Sequence, residues 1–194
     1  MHNEISMKTT VEAGVPSVLS TLLPARERML YYTNSVTQPH NDKVLKAMGK
    51  MLDQSAGPIG LFITSPGGAS GTAMSFHDTV KHVLRPDLVT IGSGDVDSSG
   101  VIIFLTGGRR YVTARTTMLL HPAGRIFGSQ RYTTHEMAAM LAEDRLKDIQ
   151  YASVLAHSSN GRLTIPQVLT MMKRHTVLSP VDMVAYGLAD AILP

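Results

Sequence analysis

Apolar runs of strand length alternate with segments of helical periodicity between Met29 and His121. Residues 29–33, 59–64, 88–91, 110–114 and 116–121 have the length and composition of buried strands. A helix capped by Asn41 is predicted after the first strand, a second near 72–84 after the next, and a short buried one over 98–106. Repeated β-α alternation predicts a parallel sheet with right-handed crossovers, so the fold class is α/β.

The C-terminal third of the chain reads as a series of capped helices. Thr133 and Glu136 form a capping box that begins a helix of about 25 residues, which ends before Asn160-Gly161. This length exceeds the usual one for a globular helix and predicts that the helix projects from the globule. The alternative is an ordinary long core helix. Two further boxes, Thr164 with Gln167 and Ser179-Pro180 with Asp182, begin the last two helices.

Composition excludes several classes of protein. With 194 residues, 43% hydrophobic and 17% charged, the chain has the size and apolar content of a single folded domain. A net charge of +3 is too small and scattered to predict nucleic-acid binding, and no apolar run reaches the length of a membrane span. The absence of cysteine excludes disulfides and thiol chemistry, and an N-terminus without a signal-peptide core leads us to expect a cytoplasmic protein.

Three motifs in chain order carry the chemistry. Ser65-Pro66-Gly67-Gly68 follows a buried strand, and paired glycines there let backbone N–H groups approach a ligand. Ser98 stands at a strand-to-helix turn, where a hydroxyl is exposed for nucleophilic attack or, alternatively, caps the helix. His121 closes a strand-like run and is placed to act as a general base, although one histidine alone is more often a packing residue.

These motifs, with the tail Tyr186-Gly187-Leu188-Ala189-Asp190, resemble the proteolytic subunit of the Clp protease, ClpP. The resemblance runs from about Arg26 to Leu193 and implies a crotonase-like β-α-β spiral with a projecting long "handle" helix at about 133–159. It implies that Ser98 is the nucleophile, that His121 is the base, and that the N–H groups of Gly68 and Ser99 form the oxyanion hole. Residues 26–194 are then a single peptidase domain, and residues 1–25 an N-terminal arm or axial loop.

The third triad position departs from the family pattern. The resemblance implies an aspartate three residues before the Leu178-Ser179 pair, and this chain has His175 there. A neutral imidazole can accept the Nδ1–H of His121 but supplies no negative charge. Asp182 and Asp190 are alternative carboxylates. Asp97, before the nucleophile, is also unexpected, and we expect its side chain to point away from the oxyanion.

The resemblance further implies a serine endopeptidase that hydrolyses unfolded chains inside a homo-oligomeric ring, either a heptamer or a double ring. The family's Asp-Arg pair between rings cannot form, because His175-Thr176 occupies its place. No cofactor or metal is expected, and a separate AAA+ unfoldase would supply any ATP-driven step, since the chain lacks a P-loop. Two alternatives stay open: a catalytically weak or inactive structural subunit of a mixed ring, and a crotonase-type acyl-CoA enzyme.

Overall fold

A computed structural model describes residues 22–194 of the chain. Most of the N-terminal arm predicted over 1–25 therefore lies outside the described residues. Five strands form a parallel sheet in the order β1-β2-β3-β4-β7. Their bounds are β1 Met29–Tyr32, β2 Ile59–Ser65, β3 Leu88–Val96, β4 Arg109–Thr113 and β7 Ala191–Leu193.

Helices connect the strands and pack on the sheet. They are α1 Gln38–Gln54, α2 Ser70–Asp78 (continued by a π-helical turn over Thr79–Leu84), α3 Ser99–Phe104, α4 Thr134–Ser158, α5 Ile165–Lys173 and α6 Pro180–Ala185. The main core lies between the sheet and these helices, and a smaller cluster around Val89, Ile91 and Tyr111 covers the opposite face. The predicted α/β class with parallel strands is confirmed.

The start of α1 corrects one sequence prediction. Asn41 is not the cap; the helix begins at Gln38, and Thr37 occupies the N-cap position. Asn41 is buried inside the first turns, where its amide oxygen accepts the hydroxyl proton of Tyr32 and its Nδ2 donates to the Thr72 carbonyl at 2.8 Å. The cap preference of Asn was therefore overridden by a buried polar contact that local sequence does not show.

The strand predicted over 116–121 is much shorter in the structure. It is reduced to β5, Met118–Leu119, which pairs antiparallel with β6, Val177–Leu178. Conversely, β3 continues five residues beyond the predicted end at Ile91. Polar and glycine residues at 92–95 hid this continuation from a pattern that looks for apolar runs.

The long helix α4 leaves the globule at its N-terminal end. The predicted capping box at Thr133 and Glu136 is formed, as are those at Thr164 and Ser179. Only Tyr151, Ala152 and Leu155 of α4 are buried, all near its C-terminal end. Among residues 22–194, no helix combines the length and the apolar composition needed to cross a bilayer.

Candidate active site

The Ser65–Gly68 turn at the end of β2 is built for close packing. A Cβ on Gly67, whose φ is +92°, would lie 2.6 Å from the Cβ of Ser98. A Cβ on Gly68 would lie 2.4 Å from the carbonyl oxygen of Val36. The Ser65 hydroxyl donates to the Asn34 carbonyl at 2.7 Å and accepts the Gly67 N–H at 3.2 Å, which fixes the turn. Neither glycine can therefore be replaced without moving backbone.

Ser98 occupies a strained turn between β3 and α3. Its φ of 53° and ψ of −128° are unusual for a residue with a side chain, and strain of this kind costs on the order of 1–3 kcal/mol. Its N–H donates to the Leu119 carbonyl at 2.9 Å, and its own carbonyl accepts the Tyr151 hydroxyl at 3.0 Å. The Ser98 side chain makes no capping hydrogen bond, so the simple N-cap role is not realised.

Two backbone N–H groups beside Ser98 donate no hydrogen bond within the described part of the chain. Neither the Gly68 nor the Ser99 N–H donates a hydrogen bond to any of residues 22–194. Both residues line the same cavity as Ser98. The Ser99 hydroxyl is buried without a partner among the described residues, and Ser99 itself is only 2% exposed. This geometry makes Ser99 a poor nucleophile, while its N–H stays available to an oxyanion.

His121 follows β5 and faces the same cavity. Its Nδ1 lies 2.8 Å from the Pro122 carbonyl oxygen, which only accepts, so Nδ1 carries the proton in this arrangement. The Nε2 atom is then the basic nitrogen. The structure shows no hydrogen bond between the Ser98 hydroxyl and the His121 ring within the described residues. Catalytic contacts of this kind often tighten only when substrate binds.

His175 lies beside His121 without a hydrogen bond to it. The β5–β6 pairing and the Leu120 N–H to Thr176 carbonyl bond of 2.9 Å bring the two segments together. The two imidazole rings are nearly parallel, with an interplanar angle of 14° and centroids 5.9 Å apart. His175 also has a positive φ of 51°, and it is exposed. The third predicted member is thus stacked on the base.

One cavity of about 140 Å³ collects four of the five predicted site residues, Gly68, Ser98, Ser99 and His121. His175 does not line it. A neighbouring cavity of about 420 Å³ shares Gly68, Ser70, Gly124 and Lys147 with it and extends it along the start of α2. The two together form an open groove that leads to Ser98.

The alternative carboxylates, Asp182 and Asp190, are engaged elsewhere. Asp182 accepts from the Ser179 hydroxyl at 2.7 Å in the α6 capping box, and this bond lowers the pKa of Asp182. Asp190 accepts the Arg110 N–H at 2.7 Å and joins β4 to the C-terminal strand. Neither reaches His121, so the sequence suggestion that one of them completes the triad is wrong.

Two residues near the site were missed by sequence reasoning. Tyr151 and Asp148 lie on α4 and line the cavity. Asp148 accepts the Ala123 N–H at 2.7 Å, and burial raises the pKa of Tyr151 far above its usual value. No motif marks either residue, because both lie more than 25 positions after His121 and reach the site only through the packing of α4.

Comparisons with known proteins agree with this architecture. The model of the family described as Clp protease matches residues 14–194. The chloroplastic proteolytic subunit 4 of the ATP-dependent Clp protease of Arabidopsis thaliana is 28% identical over 202 aligned residues, which cover 97% of this chain and 64% of that protein. Proteolytic subunit 1 of the same protease from Leifsonia xyli is 27% identical, over 91% of this chain and 87% of the relative.

The fold is also similar to a solved structure. A ClpP1 mutant from Listeria monocytogenes superimposes with a TM-score of 0.75, over 86% of this chain and 91% of that one, at 21% identity. The crotonase-like spiral implied by the sequence resemblance is therefore confirmed as the ClpP fold. Since the family model covers almost the whole chain, including every described strand and helix, this chain belongs to the Clp protease family.

Proposed function

We propose that the chain is a serine-type endopeptidase of the ClpP family, which hydrolyses peptide bonds of unfolded chains. One observation carries this proposal. A single cavity brings together a serine hydroxyl without a capping bond, a histidine whose Nε2 is the basic nitrogen, and two uncommitted backbone amides. A nucleophile, a base and oxyanion donors within one cavity are the parts that acyl transfer requires.

The mechanism assigns each residue one step. The Ser98 Oγ attacks the peptide carbonyl carbon while the His121 Nε2 takes its proton, and the N–H groups of Gly68 and Ser99 stabilise the oxyanion. The protonated His121 then gives its proton to the leaving amine as the C–N bond breaks. Water, deprotonated by His121, releases the acyl group. His175 packs against His121 and restricts the orientation of its ring.

The open groove accounts for the substrate. A peptide laid along α2 would pass Ser70 and Gly124 before reaching Ser98, and these small residues leave room for varied side chains. This groove suits extended, unfolded chains better than one compact ligand. We expect any ATP-driven unfolding to come from a separate AAA+ ring. A cytoplasmic location stays a prediction, because one of the relatives is chloroplastic.

Assembly into a ring is part of the proposal. On α4, Met137, Leu141, Leu146 and Ile149 are each about half exposed. These side chains lie on more than one side of the helix, so several faces of it have apolar surface to bury. Exposed apolar residues at this density mark interaction sites. A homo-oligomeric ring, single or stacked through α4, would cover them.

A second candidate is a structural subunit with little or no activity, completing a mixed ring. The observation in its favour is the third triad position, where an exposed His175 stacks on His121 instead of holding it through a charged hydrogen bond. The acyl-CoA reading is not favoured. The family is that of a protease, and Ser98 is half-buried at the edge of a small cavity instead of lying within a nucleotide-sized pocket.

Reaction with a fluorescent fluorophosphonate tests the proposal, because the reagent labels only activated serines. We expect labelling of the parent protein and its complete loss in Ser98→Ala, together with a fall of about 10³-fold or more in cleavage of a model peptide. The oligomeric state should stay unchanged in Ser98→Ala.

Ser99→Ala is the matched control, since it also removes one hydroxyl from the same turn. It should keep most of its labelling. Labelling that survives in Ser98→Ala and disappears in Ser99→Ala would move the nucleophile by one residue. A parent protein that is neither labelled nor able to cleave peptide would favour the structural subunit.

A further inference from the structure

The proposed mechanism does not yet say which residue stabilises the positive charge that develops on His121. His121 becomes positively charged when it takes the Ser98 proton, and triads of this kind stabilise that charge with a buried carboxylate. His175 supplies no negative charge while it is neutral. Orientation of the base has two sources, the Pro122 carbonyl that accepts the Nδ1–H of His121 and the stacked ring of His175. What remains is a source of negative charge close to the ring.

Asp97 is bound to the segment that carries His121. Its Oδ1 accepts the Leu119 N–H at 2.8 Å, while the next residue, Ser98, donates its N–H to the Leu119 carbonyl at 2.9 Å. Leu119 thus holds both residues in register with β5, two positions before His121. The Asp97 N–H donates to the Ser65 carbonyl at 2.9 Å, which anchors the other side of the turn. The carboxylate therefore has a fixed position on the β5 segment that leads to His121.

The surroundings of Asp97 make a negative charge on its carboxyl group unfavourable. Burial raises the pKa of Asp97, the Leu119 N–H lowers it, the negative charge of Asp95 raises it, and His121 lowers it. Within residues 22–194 no lysine or arginine forms an ion pair with it. A half-buried carboxylate without a cation destabilises the folded protein. A role in the reaction would explain why Asp97 is present at this position.

The carboxylate does not face the oxyanion donors. Gly68, Ser98 and Ser99 line the cavity, but Asp97 does not. Its Oδ1 is directed to the Leu119 amide on the β5 side of the turn. The negative charge therefore lies on the β5 side of the turn and away from the cavity where the carbonyl would be attacked, in agreement with the orientation expected from the sequence.

Other titratable groups lie on the elements around His121, and each has its own contacts. His175 stacks on the ring, and the Asp95 Oδ1 accepts from the Thr117 hydroxyl at 3.4 Å. From α4, Lys147 pairs with Glu143 at 2.6 Å, and the Tyr151 hydroxyl donates to Ser98. Asp148, which holds the Ala123 N–H at 2.7 Å, is the rival carboxylate.

We propose that Asp97 is the positioning residue of this site, fixing the His121 segment through the Leu119 amide and offsetting the charge of the His121 imidazolium. Asp97 takes no proton in the reaction. The proton moves from the Ser98 Oγ to the His121 Nε2 and then to the leaving amine, and Asp97 stays ionised throughout. This inference rests on the proposed function, and its test includes a measurement that does not depend on activity.

The decisive variant is Asp97→Asn, because the Asn Oδ1 can still accept the Leu119 N–H while the charge is removed. We expect kcat for a model peptide to fall by about tenfold or more with KM little changed, since the charge acts on the transition state. The acid side of the rate–pH curve should move to lower pH, because an imidazolium without a nearby anion loses its proton more readily. Asp95→Asn and Asp148→Asn make the same charge change nearby and serve as controls.

Carbethoxylation of His121 by diethyl pyrocarbonate supplies the independent measurement. Of the two forms of a histidine side chain the reagent attacks the neutral one, and peptide mass spectrometry separates the modification of His121 from that of other residues. In Asp97→Asn the onset of modification should move to lower pH, by more than in either control. If Asp97→Asn shows this shift but the parent protein cleaves no peptide, the proposed function is overturned and the inference about Asp97 stands.

Thermal stability gives the third readout. Because the folded-state pKa of Asp97 is raised, its ionised form weakens the folded state once the pH rises above the ordinary carboxyl range. Asp97→Asn should therefore raise Tm at neutral pH, and the gain should vanish in acid, where Asp97 is neutral. Unchanged kcat and an unchanged pH profile in Asp97→Asn would overturn the inference. An equal shift of the rate–pH curve in Asp97→Asn and Asp148→Asn would also overturn it.

Discussion

At the scale of single residues, two members of the proposed site have a backbone conformation that side chains disfavour. Ser98 has a φ of 53° and His175 a φ of 51°, and no other predicted site residue with a side chain has a positive φ. Strain that persists at a candidate nucleophile is a common feature of functional sites. At His175 this backbone conformation accompanies the stacking of its ring on His121.

We predict that His175→Ala loses most of the peptidase rate, because the His121 ring is then free to rotate on its exposed side. His175→Asp should raise turnover above the parent, provided that the shorter side chain reaches His121, since it restores the charged partner that the family pattern implies. Steady-state cleavage of a model peptide checks both. The role is refuted if His175→Ala cleaves as fast as the parent with the same pH profile.

The motifs of the candidate site could be found in the sequence, but not their geometry. Ser98, His121 and the Gly67-Gly68 pair are short patterns at strand ends, so the chain order alone points to them. The stacking of His175 depends on the β5–β6 pairing, and the contact of Asp97 with Leu119 depends on the same strand. Such contacts join residues 22 or more positions apart, and no local pattern encodes them.

At the scale of elements, α1 shows how a buried polar contact joins a helix to the sheet. Asn41 links Tyr32 on β1 to the start of α2, and the Tyr32 ring stacks on His40 and meets Phe76 edge-on. Burial raises the pKa of Tyr32 to about 12. Helix periodicity was sufficient to predict α1, while its first residue and its contacts were not, because Asn caps and Asn core residues look alike in sequence.

Asn41→Ala should destabilise the protein by about 2 kcal/mol, because it leaves the Tyr32 hydroxyl and the Thr72 carbonyl without partners in the core. Urea denaturation followed by circular dichroism measures the change. Gln38→Ala, on the exposed side of the same helix, is the control and should alter stability by less than about 0.5 kcal/mol. Equal effects of the two substitutions would contradict the structural role of Asn41.

At the scale of the whole molecule, α4 is held at its C-terminal end and near its middle. Arg110 on β4 is 6% exposed and donates to the Ser158 carbonyl at 2.9 Å and to the Gly187 carbonyl at 3.2 Å. This side chain fixes the C-terminal end of α4 to the sheet and to the turn before β7. The middle of the helix is supported by Arg125, which pairs with Glu143 and Asp144. Of the exposed apolar residues, Leu146 and Ile149 lie between these two anchors, and Met137 and Leu141 lie before them.

We predict that the protein is an oligomer in solution and that the double variant Leu141→Glu/Ile149→Glu dissociates it, because two carboxylates on the exposed apolar surface of α4 oppose burial of that surface. Light scattering with size-exclusion chromatography gives the mass directly. Gln54→Glu, which adds a negative charge at the exposed end of α1, should leave the mass unchanged. A parent protein of 21.0 kDa at every concentration would remove the ring from the proposed function.

The order of strands in the sheet also determines when each strand can pair during synthesis of the chain. Strand β4 pairs on its outer side with β7, the last strand of the chain, and the Arg110 N–H bonds to Asp190, 80 residues later. At about 5–20 residues per second, a ribosome takes roughly 4–16 seconds to supply that partner. Throughout this interval the nascent chain has an open β4 edge. The sheet can therefore be completed only after residues 191–193 have been synthesised, and the β4 edge must be shielded from other strands until then.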